Sequence, residues 1–126
     1  MTVWLSLELI LAIHDEQLAE HGGEVGGRDP GLLDSALARP LNRAGYGEPD
    51  IAELAAVYAI AIAMNHPFLD GNKRTAYVAL ETFLQLNGCR FLATDAEAVI
   101  MTFALASGEI RDEEFTGWVR TNVASD

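Results

Sequence analysis

From Ser6 onward, Leu7, Ile10, Leu11, His14 and Leu18 recur at steps of three and four positions, the spacing of one helical face. Gly22-Gly23 ends that helix, because glycine adopts the left-handed terminal conformation at little cost. The stretch Gly22 to Gly31 contains five glycines and Pro30 and predicts an exposed, flexible loop. Asp29 as N-cap and Pro30 at the first helical position open a short second helix with Leu32, Leu33, Ala36 and Leu37 as its apolar positions. Pro40 is expected to close it, leaving residues 42–48 as loop.

Pro49 and Asp50 start a third helix to about Asn65 that is apolar nearly all round, from Ile51 and Leu54 through Tyr58, Ile60 and Ile62 to Met64. A helix without a polar face belongs in the middle of a bundle. After a break at residues 66–71, a fourth helix is expected from about Asn72 to Asn87, with Val78, Ala79, Phe83 and Leu86 as its buried stripe. Cys89 to Ala93 is a connector with extended character. Thr94 followed by Glu97 is a capping-box signature for a helix ending at Gly108, and Phe115, Trp118 and Val119 mark a last helix over about 112–122. No repeat, linker or low-complexity run divides residues 1–126. The expectation is one all-α domain, a bundle of about six helices, with its informative loop between the buried central helix and the next one.

Composition narrows the function classes. The 126 residues are half hydrophobic, and 8 basic against 19 acidic residues leave a net charge of −11. That balance argues against a nucleic-acid or membrane-surface partner, both of which need a basic footprint. The longest apolar run, Leu54 to Met64, is 11 residues, where crossing a bilayer takes about 20. The N-terminus lacks the basic-then-apolar pattern of a signal peptide. The single Cys89 excludes an internal disulfide framework and a cysteine-based zinc site, and suits a reducing cytoplasm.

The chemistry concentrates in Asn65-His66-Pro67-Phe68-Leu69-Asp70-Gly71-Asn72-Lys73-Arg74-Thr75. Pro67 biases His66 away from helical geometry, ending the central helix there. Helix N-termini carry partial positive charge and favour acids, yet Lys73, the only lysine, and Arg74 fall in the first turn of the next helix. Cations and free N–H groups converging on one place suit an anion, usually phosphate. Asp70 could hold Mg2+ beside such phosphates. His66 belongs to the side-chain type that most readily exchanges a proton near neutral pH, which suits proton abstraction. Base, metal ligand and phosphate cradle within nine residues are what phosphoryl or nucleotidyl transfer requires. Taken singly, His66 reads as a helix cap, Asp70-Gly71-Asn72 as a turn, Lys73 and Arg74 as a solvated face and Phe68 as a core anchor. No His-Glu-x-x-His, Gly-x-Ser-x-Gly or P-loop pattern competes, and His14 and His21 read as one face of the first helix.

The run His66-Pro67-Phe68-Leu69-Asp70-Gly71-Asn72-Lys73-Arg74 resembles the signature of the Fic family, His-x-Phe-x-Asp/Glu-Gly-Asn-Gly/Lys-Arg, at every fixed position. The segment Asp29 to Pro40 and the chain length resemble the Doc (death-on-curing) toxin branch. The resemblance implies ATP-dependent transfer of a phosphate-containing group to a protein hydroxyl. His66 would be the base and Asp70 the Mg2+ ligand. Gly71 and Asn72 would form the anion hole, and Lys73 and Arg74 would bind phosphate oxygens. Residues Glu24 to Asp29 resemble the flap that docks the target segment, with Arg28 as its only cation.

Under the resemblance phosphoryl transfer is the expected chemistry, because the whole chain resembles the Doc branch, with AMP transfer as the alternative. Many AMP-transferring members carry a second arginine where this chain has Tyr77, and glycine where it has Lys73; Doc toxins share the lysine and lack that arginine. The Doc branch implies γ-phosphate transfer to a translation elongation factor. Gly71, however, matches the AMP-transferring members, where the Doc prototype has alanine. No Ser or Thr is followed by glutamate four residues on, so the restraining helix of many Fic enzymes is absent. The resemblance implies instead a separate antitoxin whose tail folds into a groove on the bundle. A degenerate toxin that binds a partner without chemistry is the remaining alternative.

Overall fold

In the computed structural model, which describes residues Met1–Asp126, six helices carry the chain: α1 (Leu7–His21), α2 (Pro30–Ala44), α3 (Ile51–Asn65), α4 (Asn72–Leu86), α5 (Asp95–Ser107) and α6 (Asp112–Thr121). Two short strands, β1 (Cys89–Phe91) and β2 (Val123–Ser125), complete it. Ten of the fifteen residues of α3 are buried, so its all-round apolar character does place it at the centre. Six of those ten are alanines, and small side chains let neighbouring axes approach closely. Helices α2, α4, α5 and α6 pack around α3, while α1 lies on α4. Leu54, Tyr58, Ile62, Phe83, Leu84, Phe115 and Val119 fill the shared core.

Local signals set most boundaries. The Asp29, Asp50 and Thr94 side chains accept the N–H groups of Leu32, Glu53 and Glu97 at 3.0, 2.8 and 3.1 Å. Such a cap contributes about 1 kcal/mol. Gly108, at φ 82°, closes α5 as anticipated.

Four details differ from the pattern reading. Pro40 does not close α2, which continues to Ala44. An interior proline costs about 3 kcal/mol, but Pro40 is buried on the same stripe as Leu33 and Ala36, and the last turn is tied to α3 by the Arg43–Glu53 ion pair. On α1 the buried face is Ile10, Ile13, His14 and Gln17. Leu7 is exposed there, and Leu11 and Leu18 are half-buried. On α4, Leu86 is exposed and Val78 half-buried, whereas Thr75, Ala76, Tyr77, Leu80 and Leu84 join Ala79 and Phe83 inside. Helix α4 is flanked by α3, α1 and α5 together, so its buried face is wider than one stripe. Finally, the extended connector pairs antiparallel with the C-terminal residues, Arg90 opposite Ala124. No helix is long and apolar enough to cross a membrane.

Candidate active site

The loop between α3 and α4 is built on its own backbone. His66 terminates α3 in the left-handed conformation, φ 50° and ψ 56°. Pro67 disfavours the right-handed helical region for the residue before it, and histidine tolerates the left-handed one better than most. The His66 ring is left exposed. Pro67 and Phe68 turn inward and are buried, so Phe68 is the anchor its character suggested. Asn72 then closes the loop. Its side-chain oxygen accepts the Phe68 N–H at 3.0 Å, and its amide donates to the Phe68 carbonyl at 2.9 Å. With both polar atoms engaged and the residue buried, Asn72 can offer an anion only its backbone N–H.

Gly71 is the N-cap of α4 at φ 80°, and no side chain caps that helix. A Cβ at Gly71 would sit 3.3 Å from Leu18 Cδ2 and 3.5 Å from the His14 ring, so both conformation and space call for glycine. The Gly71 N–H donates to Asp70 Oδ1 at 2.8 Å. The uncommitted donors of the first turn therefore begin at Asn72 and continue through Lys73 and Arg74. The first turn contains no acidic residue.

His66, Asp70, Gly71, Asn72, Lys73 and Arg74 line one cleft of about 220 Å3, with Gln17, Gly22, Leu69 and Phe103 as its other walls. The Lys73 ammonium stands 5.0 Å from the centroid of the Phe103 ring, a cation–π contact that keeps it extended over α5. Arg74 also borders a larger cleft of about 720 Å3 between α1, α4 and α5, which contains Glu16, Glu20, Tyr77, Glu81 and Asp95. Burial, reinforced by Asp95, raises the pKa of both Tyr77 and Glu81.

Asp70 joins two segments. Besides the Gly71 N–H, its carboxylate accepts the Glu24 N–H on Oδ2 at 3.1 Å. These two backbone donors, Glu24 first, hold its pKa below the ordinary carboxylate value. Asp70 is thus ionised with acceptor capacity left on each oxygen. No cluster of three or more His, Cys, Asp or Glu side chains could cage a metal alone. One ionised carboxylate does fit Mg2+, which keeps most of its waters and shares substrate phosphates.

Residues 22–29 are exposed, as expected, but they are tied to the site. The Asp29 N–H donates to the Pro67 carbonyl at 2.8 Å, and Arg28 pairs antiparallel with Phe68. Gly23 lies so close to Asp70 that a Cβ there would come within 3.0 Å of Oδ2. Arg28, exposed, therefore borders the motif loop.

A family model described as "Fic/DOC family" matches residues 4–84, which takes in α1 to α3, α4 up to Leu84 and the whole of the cleft's motif. The chain belongs to the Fic/Doc family. It is 36% identical over 107 residues to "Protein kinase doc" of Escherichia phage P1, a match spanning 84% of each protein. It is also 47% identical over 75 residues to "Toxin Doc" of Mycolicibacterium smegmatis, spanning 57% of each.

The Fic/Doc motif residues named from the sequence are thus gathered in one cleft, and Arg28 is set beside the same loop. His14 was missed. The buried His14 ring stacks on Phe68 with centroids 3.7 Å apart and donates from Nε2 to the Asp70 carbonyl at 2.8 Å. A histidine falling among the apolar positions of the first helix was the only local trace of it.

Proposed function

We propose that residues 1–126 form one catalytic domain that transfers the γ-phosphoryl group of ATP to a hydroxyl of a protein, as the toxin of a toxin–antitoxin pair. One observation carries the reading: the uncapped, cation-bearing start of α4 shares a cleft with the exposed His66 ring. Asn72, Lys73 and Arg74 would bind phosphate oxygens through the N–H groups of the first turn and the two cationic side chains. His66 would take the proton of the attacking hydroxyl as the target oxygen bonds to phosphorus and the bond to the ADP oxygen breaks. Asp70 would hold Mg2+, which when bound neutralises charge on the phosphates. The backbone of residues 24–29, with Arg28, would receive the target segment as an added strand.

The names of the relatives, a protein kinase and a toxin, support a phosphorylating toxin. A translation elongation factor is the target we propose, and blocked translation the result. The acidic residues Glu16, Glu20, Glu81 and Asp95 line the larger cleft together with Val78, Val99 and Ile100. That cleft suits the tail of an antitoxin folded as a helix with a basic edge.

AMP transfer is the second reading, favoured by the glycine at position 71. Against it, the position of the second arginine in AMP-transferring members is occupied by the buried Tyr77, which leaves Arg74 the only arginine or lysine lining the larger cleft. Incubating the protein with Mg-ATP and a translation extract, then weighing modified proteins by mass spectrometry, separates phosphate from AMP. No adduct dependent on His66 refutes both. Growth arrest that survives His66→Ala and Arg74→Ala alike points instead to a binding module without chemistry.

A further inference from the structure

We propose that His14 is a positioning residue, which fixes the Asp70–Gly71 peptide and through it the anion-binding start of α4. It deepens the phosphate-binding reading above and rests on it. The Nε2 atom lies 2.8 Å from the Asp70 carbonyl, 56 residues away in the chain. A carbonyl only accepts, so Nε2 carries the proton. The peptide unit is planar and trans, so holding its oxygen on α1 directs the Gly71 N–H to the opposite side. There it meets Asp70 Oδ1 at 2.8 Å. The following carbonyl, that of Gly71, accepts the Thr75 N–H at 3.0 Å as the first helical bond of α4.

One imidazole thereby sets three things: the carboxylate of Asp70, the left-handed turn at Gly71 and the direction in which the first N–H groups of α4 point. Its stacking on Phe68, 3.7 Å between centroids and 8° between planes, holds the other end of the same loop. Gly71 packs against the ring as well, and a Cβ there would lie 3.6 Å from Nε2. His14 is buried, at 7% exposure, and does not line the motif cleft. It acts through the loop and touches no substrate.

Two substitutions separate this role from packing. His14→Phe keeps an aromatic ring on Phe68 and removes the donor. His14→Gln loses the ring but extends an N–H about as far from the backbone. Positioning predicts that His14→Phe weakens Mg-ATP binding by calorimetry about tenfold, the worth of one buried hydrogen bond, and that His14→Gln stays within about threefold of wild type. Packing alone predicts the reverse order, because phenylalanine is the better filler. Wild-type affinity in His14→Phe, or a greater loss in His14→Gln, overturns the proposal. Amide exchange of Thr75 in the nucleotide-free protein gives an independent answer. About tenfold faster exchange in His14→Phe, with His14→Gln near wild type, supports the clamp, and equal rates in all three proteins refute it. Should wild type take up no Mg-ATP, the phosphate-binding reading falls, while exchange at Thr75 still decides whether His14 holds the turn.

Discussion

Helices α4 and α5 lie against each other yet begin in opposite ways. Thr94 caps α5 through its hydroxyl, and Asp95 and Glu97 place two acids in its first turn. Both features suit the partial positive charge of a helix start. Helix α4 has neither a side-chain cap nor an acid, and puts Lys73 and Arg74 there instead. Each of the other five helices has at least one of the two features that α4 lacks. The start of α5 is arranged for its own stability. That of α4 leaves its donors and cations to be satisfied from outside, and its stability comes from elsewhere: the buried face of the helix and the His14 and Asn72 hydrogen bonds that pin the preceding loop.

The sharpest separation of the two ends comes from His66, which faces the α4 start and has no counterpart at α5. His66→Ala should lower phosphoryl transfer by about a hundredfold or more, the usual range for a lost general base. Because the ring is exposed, the thermal midpoint should stay close to wild type. Transfer at the wild-type rate would remove the base from the mechanism.

Giving α4 an ordinary beginning is the next largest change. Lys73→Glu should weaken Mg-ATP binding at least about tenfold by calorimetry, while the acid gains about 0.3–1 kcal/mol from the helix dipole. Binding and stability moving in opposite directions would establish that this end is kept uncapped for a ligand. Undiminished affinity would end the comparison. At α5 the converse holds: Thr94→Ala should cost about 1 kcal/mol in denaturant unfolding and leave Mg-ATP affinity unchanged.

The smallest effect concerns Asp70. The Glu24 and Gly71 N–H groups lower its folded pKa, so folding favours the ionised form. The stabilisation is present above the unfolded pKa and is lost as pH falls through the folded one. Carbon NMR of the Asp70 carboxyl should show a midpoint below that of an ordinary aspartate, and Mg-ATP binding should show no step from this group between pH 8 and 5. A midpoint at or above the ordinary value would mean that the Glu24 contact does not persist in solution.

Much of this architecture is written locally. Capping residues marked the starts of α2, α3 and α5, Gly88 and Gly108 follow the ends of α4 and α5, and the unbroken apolar run of α3 placed it in the centre. Caps and periodicity act within a turn or two of helix, so they can be read without knowing what lies across the core. The motif from His66 to Arg74 was legible for the same reason: its members are contiguous, and one loop brings them together. Sequence alone could not assign Pro40 to a helix interior, because what tolerates it is burial beside Leu33 and Ala36 and the Arg43–Glu53 pair with α3.

Nor could periodicity say which face of α1 turns inward, since Leu7, Leu11 and Leu18 are more apolar than His14 and Gln17, which are buried in their place. The sequence by itself determined six helices around an apolar centre and one contiguous, cation-rich loop suited to phosphate. Tertiary structure alone decided that His14 holds that loop, that Glu24 reaches Asp70 and that residues 89–91 pair with 123–125. These contacts join positions tens of residues apart. The distance between such positions is fixed by how helices pack, and packing leaves no mark on the neighbouring residues of either one.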